Sequence, residues 1–136
     1  MTRISFAKSN IPNSGKDTAK LIDIIVNSIQ EKKGHDVVSL DLRKSEGAIC
    51  DFFIICHGNS TTQVMAIANF VDKEVYEKHG DKPWSKEGYG NRQWVLLDYV
   101  NVVVHVFMPE TRKFYDVESL WEDGDLKIIK EKRKVI

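Results

Sequence analysis

The stretch DFFIICHGNSTTQV, residues 51–64, decides how this chain is expected to fold. Its apolar run predicts a strand that is buried on both faces, which is typical of a central strand covered on each side. Gly58 then opens a turn, and Ser60 and Gln63 have the spacing of a capping box that begins a helix. A strand, a turn and a helix in this order predict an α/β protein.

Helices and strands are also predicted on both sides of this stretch. Apolar residues recur at helical spacing in residues 16–33 and 61–79, and Ser14 has capping-box spacing with Asp17 before the first of these helices. The predicted strands cover residues 35–42, 50–56, 84–88, 93–99 and 101–108, and a last short helix covers residues 111–120. The sequence therefore predicts one α/β domain with a mixed sheet of about five strands flanked by helices.

The two ends of the chain lack these patterns. Residues 1–13 are polar and contain Pro12, which predicts a flexible N-terminal arm. Gly124 stops the last predicted helix. The basic tail at residues 125–136 has no pairing pattern, and its basic end is expected to be frayed. The predicted domain therefore spans residues 14–124.

Composition excludes several classes of partner. Twenty basic and twenty acidic residues give a formal net charge of zero, so there is no overall basic field for nucleic acid and no sequence-specific nucleic-acid binding is expected. No apolar run approaches the length of a membrane span, and the first residues do not resemble a secretory signal. Cys50 and Cys56 are too far apart along one strand to form a disulfide, which predicts buried thiols in a reducing cytoplasm or organelle matrix.

The turn at Gly58 could hold an anion, because free N–H groups at a helix N-terminus favour negative charge. The sequence has neither a Walker A motif nor a dinucleotide fingerprint there. Nucleotidyl transfer would also require paired carboxylates on a following strand to hold magnesium, and no D-x-D or D-x-E occurs on one. The turn is therefore interpreted as architecture with Ser60 as a cap, and a nucleotide-binding or nucleotidyl-transfer enzyme that uses Gly58–Ser60 stays the alternative.

No other catalytic or metal site is predicted. The four histidines are scattered without metal-ligand spacing. Cys56 and His57 are adjacent on a strand, so their side chains point to opposite faces and cannot easily meet. The sequence predicts no catalytic residues, no metal and no cofactor.

The hairpin strands carry the features of a partner surface. Trp94, Leu96 and Asp98 alternate with apolar residues on one strand, and His105 and Phe107 do so on the next. If helices cover one face of the sheet, the other presents aromatic and aliphatic groups of the kind that anchor protein interfaces. In the alternative interpretation helices cover both faces and Trp94 is core. The pattern favours a binding module over an enzyme.

Three segments resemble the ribosomal silencing factor family, also called the RsfS or Iojap family. They are DFFIICHGNSTTQVMAIA (residues 51–68), Pro83 with Glu87-Gly88, and QWVLLDYVNVVVHVFMPETRKFYDVESLW (residues 93–121). The resemblance runs from about Lys16 to Trp121. It implies a nucleotidyltransferase-like fold without the catalytic carboxylates, and no catalysis or cofactor.

The resemblance also implies a function and a partner. A member of this family is expected to bind the large ribosomal subunit through ribosomal protein number fourteen and sterically block the small subunit. Translation is thereby repressed when nutrients are limiting, and family members often form homodimers.

The family's partner-binding surface, carried over to this sequence, centres on the strand that Trp94 opens. Trp94 would be the buried anchor, and Asp98 would pair with basic side chains of the ribosomal protein. Arg112 and Tyr115 would lie at the edge of the surface or pin the last helix to the sheet. The implied contact residues are Trp94, Leu96, Asp98, His105 and Phe107, with Asn59 and Ser60 nearby.

Overall fold

A computed structural model of the protein describes residues 16–131. Its elements in chain order are α1 (Lys16–Glu31), β1 (His35–Asp41), β2 (Phe52–His57), α2 (Thr61–His79), β3 (Ser85–Glu87), β4 (Trp94–Asp98), β5 (Val102–Phe107), α3 (Pro109–Tyr115), a 3₁₀ helix (Val117–Trp121) and β6 (Asp125–Ile128). The predicted arm at residues 1–13, the cap at Ser14 and the last residues of the tail, 132–136, lie outside the described residues. None of the helices in the described range has the length and hydropathy needed to cross a membrane.

The six strands form one mixed sheet in the order β3-β4-β5-β2-β1-β6. The central pair, β2 and β5, is parallel, and the other neighbouring pairs are antiparallel. A parallel pair needs a long crossover, and here the chain returns to β5 through α2, β3 and β4. The predicted α/β domain with a mixed sheet flanked by helices is confirmed, with six strands in place of about five.

The additional strand comes from the start of the segment that was predicted to be a tail without a pairing pattern. Residues 125–128 form β6, which pairs antiparallel with β1. Leu126 lies opposite Leu40 and Ile128 lies opposite Val38, so both continue an apolar face of the sheet. The expected start of the tail at residue 125 was wrong, because backbone pairing with β1 orders this short segment although all four of its side chains are exposed.

The two long helices, α1 and α2, cover one face of the sheet. Ile25 of α1 and Ile67 of α2 are fully buried and belong to one apolar cluster with Ile54 and Val104 of the central strands. Burying each such side chain stabilises the fold by roughly 1.5–3 kcal/mol. This layer fixes the positions of β2, β4 and β5, whose other faces carry the candidate site.

The second face of the sheet is covered by shorter segments. Val117 and Trp121 of the 3₁₀ helix and Leu42 and Cys50 of the β1–β2 connection pack on it. Cys50 and Cys56 are both buried thiols, as predicted, and belong to the clusters on opposite faces. The interpretation that both faces are covered is therefore correct in part, although the cover on the second face is thin.

The single last helix predicted at residues 111–120 is broken in two. Asp116 has a left-handed backbone with φ of 44°, and it ends α3 by donating its N–H to the carbonyl of Arg112. The change of direction buries Val117 against the sheet, while Phe114 and Leu120 remain 80% and 71% exposed. The helical apolar face predicted from these residues does not form, because only Val117 and Trp121 reach the core.

Candidate functional site

The turn between β2 and α2 is closed by its own side chains. The side-chain oxygen of Ser60 accepts a hydrogen bond from the amide of Gln63 at 3.1 Å, as the predicted capping box requires. The amide of Asn59 donates to the side-chain oxygen of Gln63 at 2.8 Å, and the amide of Gly58 donates to the carbonyl of Phe107 at 2.9 Å. The backbone N–H groups of Gly58, Asn59 and Gln63 are therefore already used and are not free to bind an anion.

Gln63 also ties this turn to the end of α1. Its side-chain amide donates to the carbonyls of Lys33 at 3.0 Å and Lys32 at 3.3 Å. One side chain thus satisfies groups at the end of one helix and at the start of the next, which is what termini require when water is excluded. Within residues 16–131 no three His, Cys, Asp or Glu side chains are grouped so that they could hold a metal ion.

Cys56 and His57 face opposite sides of the sheet, as predicted. Burial raises the pKa of the Cys56 thiol to about 12, so the thiol stays protonated in the apolar cluster under α1 and α2. His57 faces α3, where its Nδ1 lies 3.0 Å from Nη1 of Arg112. The two side chains do not form a nucleophile and base.

Arg112 pins α3 to the sheet. It donates to Glu118 of the 3₁₀ helix from Nη2 at 2.9 Å and from Nε at 3.3 Å, and its Nη1 also reaches the carbonyl of His35. Burial, with the Arg112 charge second, holds the pKa of His57 below its ordinary value. His57 therefore stays neutral near neutral pH and can accept the hydrogen bond from Arg112.

Asn59 and Ser60 lie at the same end of the sheet as the contact between Arg112 and His57. The side-chain amide of Asn59 lies 3.0 Å from Nε2 of His35, and both Asn59 and Ser60 are exposed. They follow β2, whereas Trp94 begins β4, and β5 lies between these two strands in the sheet. The polar turn and the aromatic residues are thus brought to one end of the fold without direct contact.

The predicted hairpin residues lie side by side on the second face. Trp94 pairs with Phe107, Leu96 pairs with His105, and Asp98 pairs with Val103 of the same face. Phe107 in turn pairs with His57 across the parallel strands. The register therefore brings all five predicted strand residues together.

Trp94 is held by contacts on several sides. Its indole Nε1 donates to Nδ1 of His105 at 3.1 Å, and its ring stacks on Phe107 with centroids 4.8 Å apart. The ring of Tyr115 in α3 lies 5.0 Å away at an angle of 44°. Trp94 is partly exposed, whereas Tyr115 is 51% exposed, so these two rings reach the surface together.

Four of the five predicted contact residues are buried. Asp98 and Phe107 have no exposed surface, His105 is 3% exposed and Leu96 is 5% exposed. Burial lowers the pKa of His105 to about 3, so its ring is neutral. His105 and Phe107 contact Trp94 from within the sheet, and the five predicted strand residues do not form one exposed surface.

Asp98 requires a specific correction. Its Oδ1 accepts a hydrogen bond from the amide of Val100 at 2.7 Å, and Val100 has a left-handed backbone with φ of 74°. The carboxylate thus supports the strained turn between β4 and β5. A fully buried side chain cannot pair with a basic residue of a partner, as had been expected from the resemblance.

A cavity of about 400 Å³ opens beside Trp94. Trp94, Leu96, His105 and Tyr115 form its apolar and aromatic walls. Gly88 forms one side of the cavity, where its backbone lies close to that of Trp94. Its φ is 89°, and a Cβ at this position would lie 1.9 Å from the carbonyl oxygen of Trp94. The polar residues of the lining are Glu87, Asn91, Gln93 and Thr111.

These polar residues had not been predicted as part of the site. Glu87 pairs with Leu96, so the register of β3 on β4 places it on the second face. The short strand was predicted at residues 84–88, but its partner and register could not be read from alternation over so few residues. Tyr115, which was expected at the edge of the surface or as a pin, is a wall of the cavity.

The chain matches known proteins over most of its length. A family model described as "Ribosomal silencing factor during starvation" matches residues 15–135. A protein of Halalkalibacterium halodurans named ribosomal silencing factor RsfS is 44% identical over 105 residues, which are 77% of this chain and 88% of that protein. A mouse protein named for mitochondrial assembly of the large ribosomal subunit is 30% identical over 103 residues, which are 74% of this chain and 44% of that protein.

The fold is also found among solved structures. A crystal structure of a protein from Chromobacterium violaceum superposes with a TM-score of 0.71 at 34% sequence identity. The superposition covers 76% of this chain and 84% of the other. About three quarters of the chain therefore shares its fold with an experimentally determined structure.

Proposed function

This chain belongs to the ribosomal silencing factor family, and from that premise we propose that it represses translation by occupying the large ribosomal subunit. The names in this family describe regulators of the ribosome and not enzymes. The proposed contact is ribosomal protein number fourteen on the face that joins the small subunit. A protein bound there blocks subunit association sterically and needs no chemical step.

One observation carries the proposed docking surface, and it is the partly exposed pair Trp94 and Tyr115 at the mouth of the cavity. Phe114, which is 80% exposed, extends this apolar surface, because its ring centroid lies 5.0 Å from that of Tyr115. Clustered exposed aromatic groups are typical of interface anchors.

The predicted residues take different parts in this proposal. Trp94 is the anchor that meets the partner, while His105 and Phe107 hold it in place from within the sheet and Leu96 lines the cavity beside it. Asn59 and Ser60 contribute polar contacts at the same end of the fold. Asp98 keeps a structural part only, because it is buried.

The proposal extends to assembly and location. We expect the free protein to form a homodimer in the cytoplasm. If the dimer uses the surface around Trp94, dimerisation and ribosome binding compete, and large subunits should convert dimer to bound monomer. Analytical ultracentrifugation of the free protein tests the dimer independently of the ribosome.

Photo-crosslinking tests the partner and the surface together. Tyr115 is replaced by a photoreactive benzoylphenylalanine, and the protein is irradiated with purified large subunits. We expect a crosslink to ribosomal protein number fourteen. Tyr76 on α2 provides a matched control, because it is 53% exposed but lies on the helix that covers the opposite face. Equal crosslinking from both positions, or a crosslink from Tyr115 to a different protein, would contradict the proposal.

A further inference from the structure

The cavity beside Trp94 has one charged residue in its lining, and that residue has no partner in the described part of the chain. Glu87 lies opposite Leu96 and faces the cavity. Its neighbour Lys86 faces the other side of the sheet, where its Nζ pairs with Asp72 of α2 at 3.2 Å. The carboxylate of Glu87 forms no ion pair or hydrogen bond with any residue in the range 16–131. An exposed negative charge therefore stands at the rim.

Two aromatic rings stand on the wall of the same cavity. Trp94 and Tyr115 present ring surface there, with centroids 5.0 Å apart. The faces of Trp and Tyr rings attract ammonium and guanidinium groups, and the attraction is strongest for Trp. The hydrogen bond from Trp94 to His105 fixes the orientation of the indole before any ligand arrives.

The rest of the lining, as far as residues 16–131 form it, supplies hydrogen-bond acceptors and carries no positive charge. His105 is kept neutral by burial, and no Lys or Arg of these residues lines the cavity. The side-chain oxygens of Asn91 and Gln93 accept bonds from the Gln93 amide and the Thr111 hydroxyl. Each amide oxygen has a second lone pair for another donor.

We propose that this cavity binds one cationic side chain, an arginine or a lysine, of the protein partner. Glu87 supplies the counter-charge, and Trp94 and Tyr115 hold the aliphatic stem and the cationic head. An apolar occupant would cover Glu87 without replacing its water, which is unfavourable, and an anion would be repelled. Arginine fits better than lysine, because a planar guanidinium can stack on a ring while it bonds a carboxylate. The inference deepens the proposed function and rests on it for the identity of the partner.

A peptide titration tests the site without the ribosome. The probes are acetyl-Gly-Arg-Gly-amide and, as the neutral control, acetyl-Gly-Gln-Gly-amide. The readout is the indole N–H resonance of Trp94 in the ¹⁵N-labelled protein, identified by its loss in Trp94→Phe. We expect the arginine peptide to shift this resonance and the glutamine peptide to leave it in place. We also expect Glu87→Gln to weaken binding of the arginine peptide about tenfold.

A matched pair of variants tests the same carboxylate on the ribosome. Glu87→Gln and Glu46→Gln each remove one exposed carboxylate, and Glu46 lies in the β1–β2 connection outside the cavity. We expect Glu87→Gln to weaken binding to purified large subunits about tenfold and Glu46→Gln to leave it within about twofold.

The outcomes separate this inference from the proposed function. If the wild-type protein binds large subunits but Glu87→Gln binds equally well, and the arginine peptide does not shift Trp94, the cation site is wrong and the docking proposal stands. If the glutamine peptide shifts Trp94 as much as the arginine peptide does, the cavity is not selective for cations. If the wild-type protein does not bind large subunits, the docking proposal is wrong, and the peptide titration alone decides whether the cavity takes a cation.

Discussion

Trp94 donates its indole N–H to Nδ1 of His105 across the β4–β5 pair at 3.1 Å. Because an indole nitrogen can only donate, His105 must be neutral and carry its proton on Nε2. The ring of His105 also lies edge-on to Phe53 with centroids 4.5 Å apart. A buried histidine thus fixes the orientation of Trp94, the proposed aromatic anchor.

The protonation state of His105 predicts a loss of stability in acid. Its pKa is lowered by burial from 6.5 to about 3 in the folded protein, so below about pH 6.5 the unfolded chain binds a proton that the folded chain does not. The stabilisation is fully present above that pH and is lost as the pH falls towards 3. At 1.36 kcal/mol per pH unit, the contribution lost between about pH 7.5 and about pH 5 is roughly 2 kcal/mol.

Urea unfolding of the wild-type protein and of His105→Gln, each at about pH 7.5 and about pH 5, measures this pH-dependent contribution to stability. Because the other histidines are present in both proteins, their titration cancels in the comparison. We expect the wild-type protein to lose about 2 kcal/mol more than the variant. Equal losses would show that His105 titrates normally in the folded state.

Asp98→Ala separates a structural carboxylate from an interface carboxylate. The variant removes the acceptor of the Val100 amide in a strained turn, so the free energy of unfolding should fall by about 2 kcal/mol. Large-subunit binding by the folded variant should stay within about twofold of wild type, because Asp98 has no exposed surface. The exposed Asp123→Ala is the control for stability. Loss of binding without loss of stability would show that Asp98 contacts the partner.

Gly88→Ala tests the close approach of β3 to β4. An added Cβ would lie 1.9 Å from the carbonyl oxygen of Trp94, and the backbone φ of 89° is strained for any other residue. We expect a loss of about 2 kcal/mol or more and a displaced Trp94. Gly90→Ala is the matched control, because a Cβ there meets nothing within 4 Å. Similar stabilities of the two variants in urea unfolding would show that the turn is not tightly packed.

Arg112→Ala tests whether α3 is pinned through its arginine. No residue of α3 is itself buried, and Arg112 joins it to Glu118, His57 and His35. We expect a loss of about 2 kcal/mol in stability, and a change in tryptophan fluorescence as Tyr115 moves from Trp94. Lys113→Ala, on the exposed side of the same helix, should change neither. An unchanged fluorescence spectrum in Arg112→Ala would show that other contacts position Tyr115.

The sequence predicted those parts of the fold that depend on local pattern. Apolar spacing identified both long helices, and alternation placed Trp94, Leu96 and His105 on one face, because side-chain direction in a strand follows directly from its period of two. The short β6 was missed since its exposed side chains carry no core pattern, and only pairing with β1 orders it.

Burial on the second face could not be predicted from the hairpin alone. The residues that cover it come from the β1–β2 connection and from the 3₁₀ helix after Asp116, whose left-handed turn follows no apolar period. Asp98 was therefore assigned to the surface, although it has no exposed surface in the folded chain. Glu87 was not predicted as a site residue, because a strand of three residues gives no register until its partner is known.

Subunit joining followed by sedimentation tests the central claim most directly. Purified small and large subunits are mixed under joining conditions with the wild-type protein, Trp94→Ala or no addition, and separated on a gradient. We predict that the wild-type protein migrates with the large subunit and prevents formation of the joined ribosome. Trp94→Ala should lose about 2 kcal/mol or more of binding and allow joining. Complete joining in the presence of saturating wild-type protein would contradict the account.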